Sequence, residues 1–338
     1  MIIEREMERL SQLGTARVDY DRLIETAVEH SENWHDTIVE RSNHGLRMDK
    51  DANMLFRSNG WPVTTDVTQN AFEQYCNIIG VPSSYAMKCY ENGLGDLAVT
   101  NFDRWQEMMP EQVKVRTYGA DHIVHAVVSP RFTEVANARI FELLNDAVDF
   151  SRYQCNQAFL SPEKMHLRFV DFTPLPGVSD LMFAGFTVSN NEIGRGALSV
   201  KFFLYRFACK NGLVRTQRGG TLFSQKHLGL TVEDEKAFAA SFENIEVLRQ
   251  SSVNQILAAQ KKILSYKEME SMIERVRKEC HLGKDPKIGE VSAQEWIGNE
   301  FGNNLWGVIN FVTQKAQEYN LDDRLAMEQY AGTLLMAA

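Results

Sequence analysis

Several features are absent from this sequence. It has no apolar run of the roughly 20 residues that a membrane span needs, and its first ten residues, MIIEREMERL, are charged from the fourth position and lack the apolar region of a signal peptide. Its five cysteines are an odd number without a CxxC pair, which argues against a disulfide framework or a zinc ribbon. Only eight of the 338 residues are proline. We expect a cytoplasmic, folded protein with reduced thiols.

Acidic residues are missing from one long stretch. The forty residues from 193 to 232 contain seven basic side chains and no aspartate or glutamate, although the whole chain has a net charge of -9. The remaining 298 residues carry 29 basic and 45 acidic side chains, a net charge of -16. This segregation predicts a positive surface on an acidic body, as in proteins that bind a polyanion. The seven basic residues are Arg195, Lys201, Arg206, Lys210, Arg215, Arg218 and Lys226.

Hydrophobic periodicity divides the chain into three regions and predicts an α+β fold. Residues 1–110 form a mainly helical N-terminal region, 111–232 a β-rich core with a basic hairpin, and 233–338 a helical C-terminal region. We expect a central, mostly antiparallel sheet from about 112 to 231, with one helix inserted at 135–150. The predicted strands are VKVR, IVHAVV, MHLRFV, LMFAGFTV, LSVKFFLYRF and GLVRT.

Helices are predicted on both sides of this sheet. In the N-terminal region they cover 21–30, 70–79, a short segment after Pro82, and 96–109. In the C-terminal region one helix of some 30 residues runs from 232 to about Leu264, and two amphipathic helices follow a linker at 283–289. The apolar side chains of this region exceed what one sheet face can cover, which predicts a homo-oligomer. Trp306, Ile309, Phe311 and Val312 belong to this set.

The basic stretch contains a candidate binding hairpin. LSVKFFLYRF has apolar residues at both alternating sets, as in a central strand covered on both faces, so Lys201 and Arg206 fall on opposite faces. A buried Arg206 needs a partner, which is either a phosphate or a carboxylate such as Glu192 or an acid of a C-terminal helix. Asn211-Gly212 predicts a two-residue hairpin turn. Arg215 and Arg218 then lie on the next strand, and the stretch is either an anion-binding surface or a solvated basic edge.

Catalytic and metal motifs fail on geometry. His122 and His125 are three residues apart in a strand-like segment, where such residues point to opposite faces and cannot form a metal pair. Asp234-Glu-Lys236 opens a helix, where acidic residues are explained by the helix dipole. We therefore predict no catalytic residue, no metal site and no cofactor, and we consider an enzyme the less favoured class.

Four segments together carry a family resemblance. SNNEIGRGALSVKFFLYRFACKNGLV, residues 189–214, resembles the signature of the phage- and plasmid-associated proteins grouped as domain of unknown function 932. Residues 76–105, 115–137 and 305–317 agree with it, whereas Asn191 stands where a serine is expected before the glutamate. The resemblance implies a protein of a mobile element, where replication, recombination and evasion of host defence are common tasks.

With the basic stretch, this resemblance predicts a DNA-binding protein, with single-stranded binding or annealing in recombination or replication as the favoured activity and the host cytoplasm as its location. One alternative is a non-catalytic protein that binds a host factor or counters host defence. A metal-dependent enzyme acting on nucleic acid is the other. The side chains expected to contact DNA, with Phe223 stacking on bases, are Lys201, Arg206, Lys210, Arg215, Arg218, Phe223 and Lys226.

Overall fold

A computed structural model describes residues 19–41, 46–58, 61–178, 181–206, 211–214, 220–280, 297 and 301–338. The fold is α+β, as predicted, and its strands form three antiparallel sheets. The helices are α1 (Tyr20–Glu32), α2 (Gln69–Ile79), α3 (Ser83–Glu91), α4 (Gly95–Trp105), α5 (Asn137–Ala147), α6 (Val232–Ser241), α7 (Ile245–Lys261), α8 (Tyr266–Glu279), α9 (Leu305–Ala316) and α10 (Leu321–Met336). The strands are β1 (Trp34–Glu40), β2 (Arg47–Met48), β3 (Met54–Ser58), β4 (Trp61–Thr65), β5 (Gln112–Tyr118), β6 (Ile123–Val128), β7 (Tyr153–Leu160), β8 (Lys164–Asp171), β9 (Met182–Asn191), β10 (Leu198–Arg206), β11 (Asn211–Val214) and β12 (Thr221–Gln225).

The four predicted N-terminal helices are confirmed, and two of them, α1 and α2, begin at side-chain caps, whereas α3 and α4 have none. The Asp19 side chain accepts a hydrogen bond from the backbone N–H of Arg22 at the start of α1, and Thr68 caps α2 in the same way. Gly80 follows α2 with φ of 77°, a left-handed conformation that glycine adopts without strain. Because these signals are local, the sequence predicted the helix ends closely.

The N-terminal region has its own small sheets and core. The order β1-β5-β6 forms one sheet and β2-β3-β4 another. Buried side chains of these strands pack with α2, α3 and α4 around Phe72, Tyr75 and Phe102. Strands β5 and β6 were predicted to belong to the central sheet with the later strands, and this was wrong. Their apolar residues pack against α2, α3 and α4 in the separate N-terminal core, which buried residues of the β2-β3-β4 sheet also enter.

The main sheet has the order β11-β10-β9-β8-β7, and β12 pairs with the first half of β10. The predicted neighbours LSVKFFLYRF and LMFAGFTV are adjacent antiparallel strands, with Phe202 opposite Phe186. Strand β10 is buried on both faces, since Val200 and Phe202 enter one core and Phe203 another. The prediction of a central, doubly covered strand is therefore confirmed.

The predicted Asn-Gly turn was wrong. Asn211 and Gly212 are the first residues of β11 and lie opposite Arg206 and Tyr205. Asn-Gly favours a turn only where two residues reverse the chain. Here the segment pairs with the second half of β10 as an edge strand, and the hydrogen bonds between the strands outweigh the turn preference of Asn-Gly.

The C-terminal helices cover the main sheet. The Thr231 side chain and Asp234 form a reciprocal capping box at α6, which explains the acidic first turn. A 3-10 turn at Phe242–Asn244 separates α6 from α7, so the predicted single long helix is two. Helices α9 and α10 are as predicted, whereas the linker predicted at 283–289 lies outside the described residues.

Each face of the main sheet is covered by different elements. Phe169 and Phe186 stack at 4.9 Å on the face that contacts α1 and the 3-10 turn, through Tyr20 and Phe242. On the opposite face Arg168 pairs with Glu328 of α10. The apolar side chains that predicted an oligomer, Trp306, Ile309, Phe311 and Val312, are all buried by this chain itself. Their burial removes that argument for self-association.

Candidate functional site

The predicted DNA-contacting residues are spread along β10 and its edge partners. Lys201 lies in the middle of β10, opposite Thr221 of β12 and Thr187 of β9. Lys226 is exposed and follows β12, whose last residue lies opposite Leu198. Arg206 is the last residue of β10. By the strand register Lys226 lies level with position 197, nine residues before Arg206, so the two backbones are about 30 Å apart at the usual rise per residue.

Part of the predicted set cannot be placed. Lys210, Arg215 and Arg218 lie outside the described residues, as does the side chain of Arg206. Val214, just before Arg215, lies opposite Phe203. The N–H of Phe202 donates to the carbonyl oxygen of Gly220 at 2.7 Å. The described chain therefore leaves and rejoins the same edge of β10 at its middle, beside Lys201.

Phe223 does not fit its predicted role. The ring is 8% exposed and packs edge-to-face against Phe238, with the centroids 5.4 Å apart. It faces α6 from β12 and joins the main core, as does Val200, the residue opposite it in the ladder. A buried ring cannot stack on a base, so we correct this prediction. Arg195, another basic residue of the stretch, is exposed but paired with Glu73.

Lys201 is a half-buried cation surrounded by hydroxyl groups. Thr187 and Thr221 are its cross-strand neighbours, and Ser199 lies two residues away on the same face, opposite Ser189 and Ser224. Within the described residues no carboxylate pairs with the Lys201 ammonium, and burial lowers its pKa below the ordinary value. Thr221 and Ser224 are exposed, so this group of polar side chains opens toward β12.

The fully buried arginine on the same face as Lys201 has a carboxylate counter-ion. Arg168 pairs with Glu328, which also accepts a hydrogen bond from Arg324 Nε at 3.0 Å. His166 accepts from Arg168 Nε through Nε2 and donates through Nδ1 to Ser189 Oγ at 2.7 Å. Burial, and then the neighbouring cations, hold the pKa of His166 well below its ordinary value. Carboxylates thus compensate these arginines, whereas Lys201 on the same face has none in the described chain.

A second polar site joins the N-terminal sheet to the main sheet. Arg116 of β5 is 1% exposed and lies between the rings of Trp34 and Phe132, at 4.8 and 5.2 Å. Three carboxylates surround its guanidinium: Asp36 at 3.1 Å, Glu134 at 3.5 Å and Glu192 at 3.8 Å. The atoms Nε and Nη1 of Arg116 have no hydrogen-bond partner of good geometry among the described residues. A cavity of about 150 Å³ adjoins this group.

Two further groups of this second site have shifted pKa values. Burial raises the pKa of Glu192 to about 7, although Arg116 and the backbone N–H of Asn137 act in the opposite direction. Burial also lowers the pKa of His227 to about 4, and neither ring nitrogen has a hydrogen-bond partner among the described residues. Sequence reasoning missed this site because its members come from separate segments. The one signal was Glu192, proposed as the partner of a buried arginine, although the arginine it approaches is Arg116.

These sites differ in what they can do chemically. Lys201 and its hydroxyl groups can donate hydrogen bonds to an anion, whereas the Arg116 site presents carboxylates and a shielded guanidinium. His122 and His125 are engaged separately, the first near His35 and the second through Nδ1 to Glu163 at 2.6 Å. Over the described ranges, no three His, Cys, Asp or Glu residues are grouped so as to hold a metal ion.

The described helices are all too short or too polar to cross a membrane. Residues 124–330 match the family described as domain of unknown function (DUF932). The match includes the signature at 189–214 and the segment at 305–317, and it excludes residues 76–105. No curated protein and no solved structure matches the chain. Since the matched residues make up more than half of the sequence, the chain belongs to the domain of unknown function 932 family.

Proposed function

We propose that this protein binds single-stranded DNA along the β10–β12 edge of the main sheet, in recombination or replication of a phage or plasmid. The observation that carries the proposal is the half-buried Lys201, which lies among five hydroxyl side chains and pairs with no carboxylate of the described residues. A cation without a counter-ion is costly to bury, so its retention favours a role in binding an anion.

The surrounding charge supports a polyanion as the ligand. Lys201 lies within the acid-free stretch of residues 193–232, and the exposed Lys226 of the same stretch directly follows β12. On the same face Lys164, Arg168 and Arg324 are paired with Asp322 and Glu328, so Lys201 is the cation there that no described carboxylate neutralises. Phosphate groups of a single strand can follow an edge of about 30 Å, and hydroxyl groups are frequent phosphate donors. The acidic remainder of the chain limits long-range attraction, which makes the affinity of one chain weak.

A salt titration tests this proposal. Fluorescence anisotropy of a labelled single-stranded oligonucleotide between about 50 and 200 mM salt gives the number of phosphate contacts, at roughly 0.7 in slope per contact. Lys201→Met is expected to weaken binding and to reduce the slope by about 0.7. The matched control is Lys88→Met, a substitution at an exposed lysine of α3 far from the edge in the sequence. It should leave the slope unchanged.

Other outcomes would favour the alternatives. Absence of DNA affinity at low salt would refute the proposal, and a host protein that copurifies in stoichiometric amount would then support the interaction-protein alternative. Loss of the oligonucleotide only when magnesium is added would indicate a nucleic-acid enzyme. An equal slope for Lys201→Met and the wild type would show that Lys201 contacts no phosphate.

We also propose that the protein assembles as a homo-oligomer, through a different surface from the one predicted. Leu94, Leu97, Trp105 and Met108 lie one or about two helical turns apart on one face of α4 and the turn after it, each between 44% and 62% exposed. Tyr85 of α3 adjoins them through its bond to Asn101. Contiguous apolar patches of this kind mark interaction surfaces. Several subunits would align their weak DNA-binding edges.

A twofold, antiparallel packing of α4 fits the charges beside this stripe. Asp96 lies near the start of α4 and Arg104 near its end, so opposite charges meet when two copies run antiparallel. Trp105→Glu should convert the oligomer to a 38.6 kDa species in sedimentation. The control is Trp61→Glu, which changes an exposed tryptophan of β4 outside the stripe. A wild type that sediments only at 38.6 kDa at micromolar concentration would refute the assembly.

A further inference from the structure

One strand of the N-terminal region has an outer edge with no partner strand among the described residues. This strand is β1, which pairs only with β5 in that part of the chain. The N–H of Arg41 donates to Glu111 at 2.9 Å, and the N–H of Gly119 donates to Asn33 at 3.0 Å. These bonds show that the backbone N–H and C=O groups of the odd-numbered residues of β1 point toward β5. The backbone groups of the even-numbered residues therefore point away from β5.

The outward backbone groups are therefore those of Trp34, Asp36 and Ile38. Among the described residues none forms a backbone hydrogen bond with them. An unpaired row of N–H and C=O groups is a template on which another strand can add. Ile38 is also 47% exposed, although it lies in the middle of a strand. The edge thus offers both main-chain hydrogen bonds and apolar contact.

A groove of about 1090 Å³ runs along this edge. Its other wall consists of Phe56, Arg57 and Ser58 of β3 with Val63 of β4. The Oγ atoms of Thr37 and Ser58 approach to 3.2 Å and fix the hairpin beside β1. The volume lies at the upper end of ligand pockets, so it can hold an extended segment of several residues. We call this space the β1 groove.

The β1 groove leads to the cavity beside Arg116. Trp34 and Asp36 line both spaces. Acidic side chains outnumber basic ones along them, since four acids line the groove and the cavity together, against two arginines and Lys114, whose Nζ lies 3.3 Å from Asp36. The acids are Asp36, Glu40, Glu134 and Glu192, and the arginines are Arg57 and Arg116. The acidic excess favours a basic side chain as the occupant of the cavity and disfavours phosphate groups.

We propose that the β1 groove binds an extended segment of a partner polypeptide, which adds as a fourth strand beside β1 and places a lysine or arginine opposite Asp36. Side chains of directly opposite residues share a face of the sheet, so this basic side chain points toward the carboxylates around Arg116. The residues two before and two after it lie opposite Trp34 and Ile38 and are apolar. The motif is apolar-x-basic-x-apolar, and it does not depend on the DNA-binding proposal.

A short synthetic peptide tests this proposal on the full-length protein. The labelled peptide acetyl-SVTKTVS-amide carries the motif, and its glutamate counterpart, SVTETVS, reverses the central charge. Anisotropy should give saturable binding of the lysine peptide and at least roughly tenfold weaker binding of the glutamate peptide. Methylation of the lysine backbone nitrogen removes a main-chain donor without altering the protein. The methylated peptide should also lose binding.

Variants of β1 provide the complementary arm. Ile38→Pro removes an N–H that points away from β5, and proline is tolerated on such an edge, so the fold should be kept while binding is lost. Ile38→Val keeps the N–H and should bind as the wild type. No binding of the lysine peptide at millimolar concentration would overturn the proposal. So would equal binding of the two charge variants, unimpaired binding of the methylated peptide, or displacement of the bound peptide by single-stranded DNA at equal concentration.

Discussion

Glu192→Gln isolates the effect of one buried carboxyl on stability. Burial raises the pKa of Glu192 from 4.5 to about 7, so its neutral form is favoured in the folded protein. The stabilising contribution is complete below the unfolded value of 4.5 and is lost as the pH rises through 7. Glutamine resembles the neutral form at all pH values, and its Oε1 can still accept from the N–H of Asn137 as Glu192 does at 2.9 Å.

The expected size of this effect follows from the two pKa values. The difference between 4.5 and about 7 corresponds to about 3 kcal/mol in the free energy of unfolding. Glu192→Gln should thus match the wild type near pH 4 and exceed its stability by about 3 kcal/mol at pH 8. His227 acts in the opposite sense, because its lowered pKa makes the folded state lose stability as the pH falls from 6.5 toward 4. This contribution is common to both proteins and cancels in their difference.

Urea unfolding of both proteins from pH 4 to 8 is the assay. Glu134→Gln is the matched control, since it removes another carboxylate from Arg116 at a 40% exposed position and should change stability by less than about 1 kcal/mol. A stability difference between Glu192→Gln and the wild type that stays constant with pH would refute the reasoning. A less stable Glu192→Gln at pH 8 would show that the ion pair with Arg116 outweighs the cost of burial.

Two further experiments separate structural from binding roles. Glu328→Ala leaves the buried Arg168 without its counter-ion and should lower the free energy of unfolding in urea by about 3 to 5 kcal/mol. The double variant Arg168→Met with Glu328→Leu should recover most of that loss. Equal losses in the two variants would show that the unpaired charge is not the cause. Phe223→Ala should cost about 3 to 5 kcal/mol because the ring is buried against Phe238, and the salt dependence of DNA binding should not change. A reduced affinity at unchanged stability would restore the stacking role.

Local signals explain why so many of the elements were predictable. The starts of α1, α2 and α6 are fixed by the side chains of Asp19, Thr68 and Thr231. Each of these accepts a hydrogen bond from a backbone N–H three residues later. Strand β10 was predicted as central because both its alternating sets are apolar, which needs no knowledge of the partner strands. Strand β7 was not predicted, since its sequence YQCNQAFL mixes polar and apolar residues without a clear period.

The site could be predicted only in part. Lys201 was identified through the charge of its stretch, but the lack of a carboxylate partner for it among the described residues depends on which acids fold near it. The burial of Phe223 and Trp306 is set by tertiary partners that no local pattern reveals. Arg116 and the three carboxylates around it come from four segments whose contacts appear only in the folded chain.

The family match begins inside a sheet rather than between structural units. Its first residue, Val124, lies in β6, and β5, the strand that pairs with β6, ends at Tyr118. The main core also needs residues upstream of the match, because Tyr20 of α1 packs on Phe141 and Phe169. A fragment limited to 124–330 would expose one edge of β6 and open that core. The residues that match the family are therefore fewer than the residues that fold together. Fragments for expression should begin before α1.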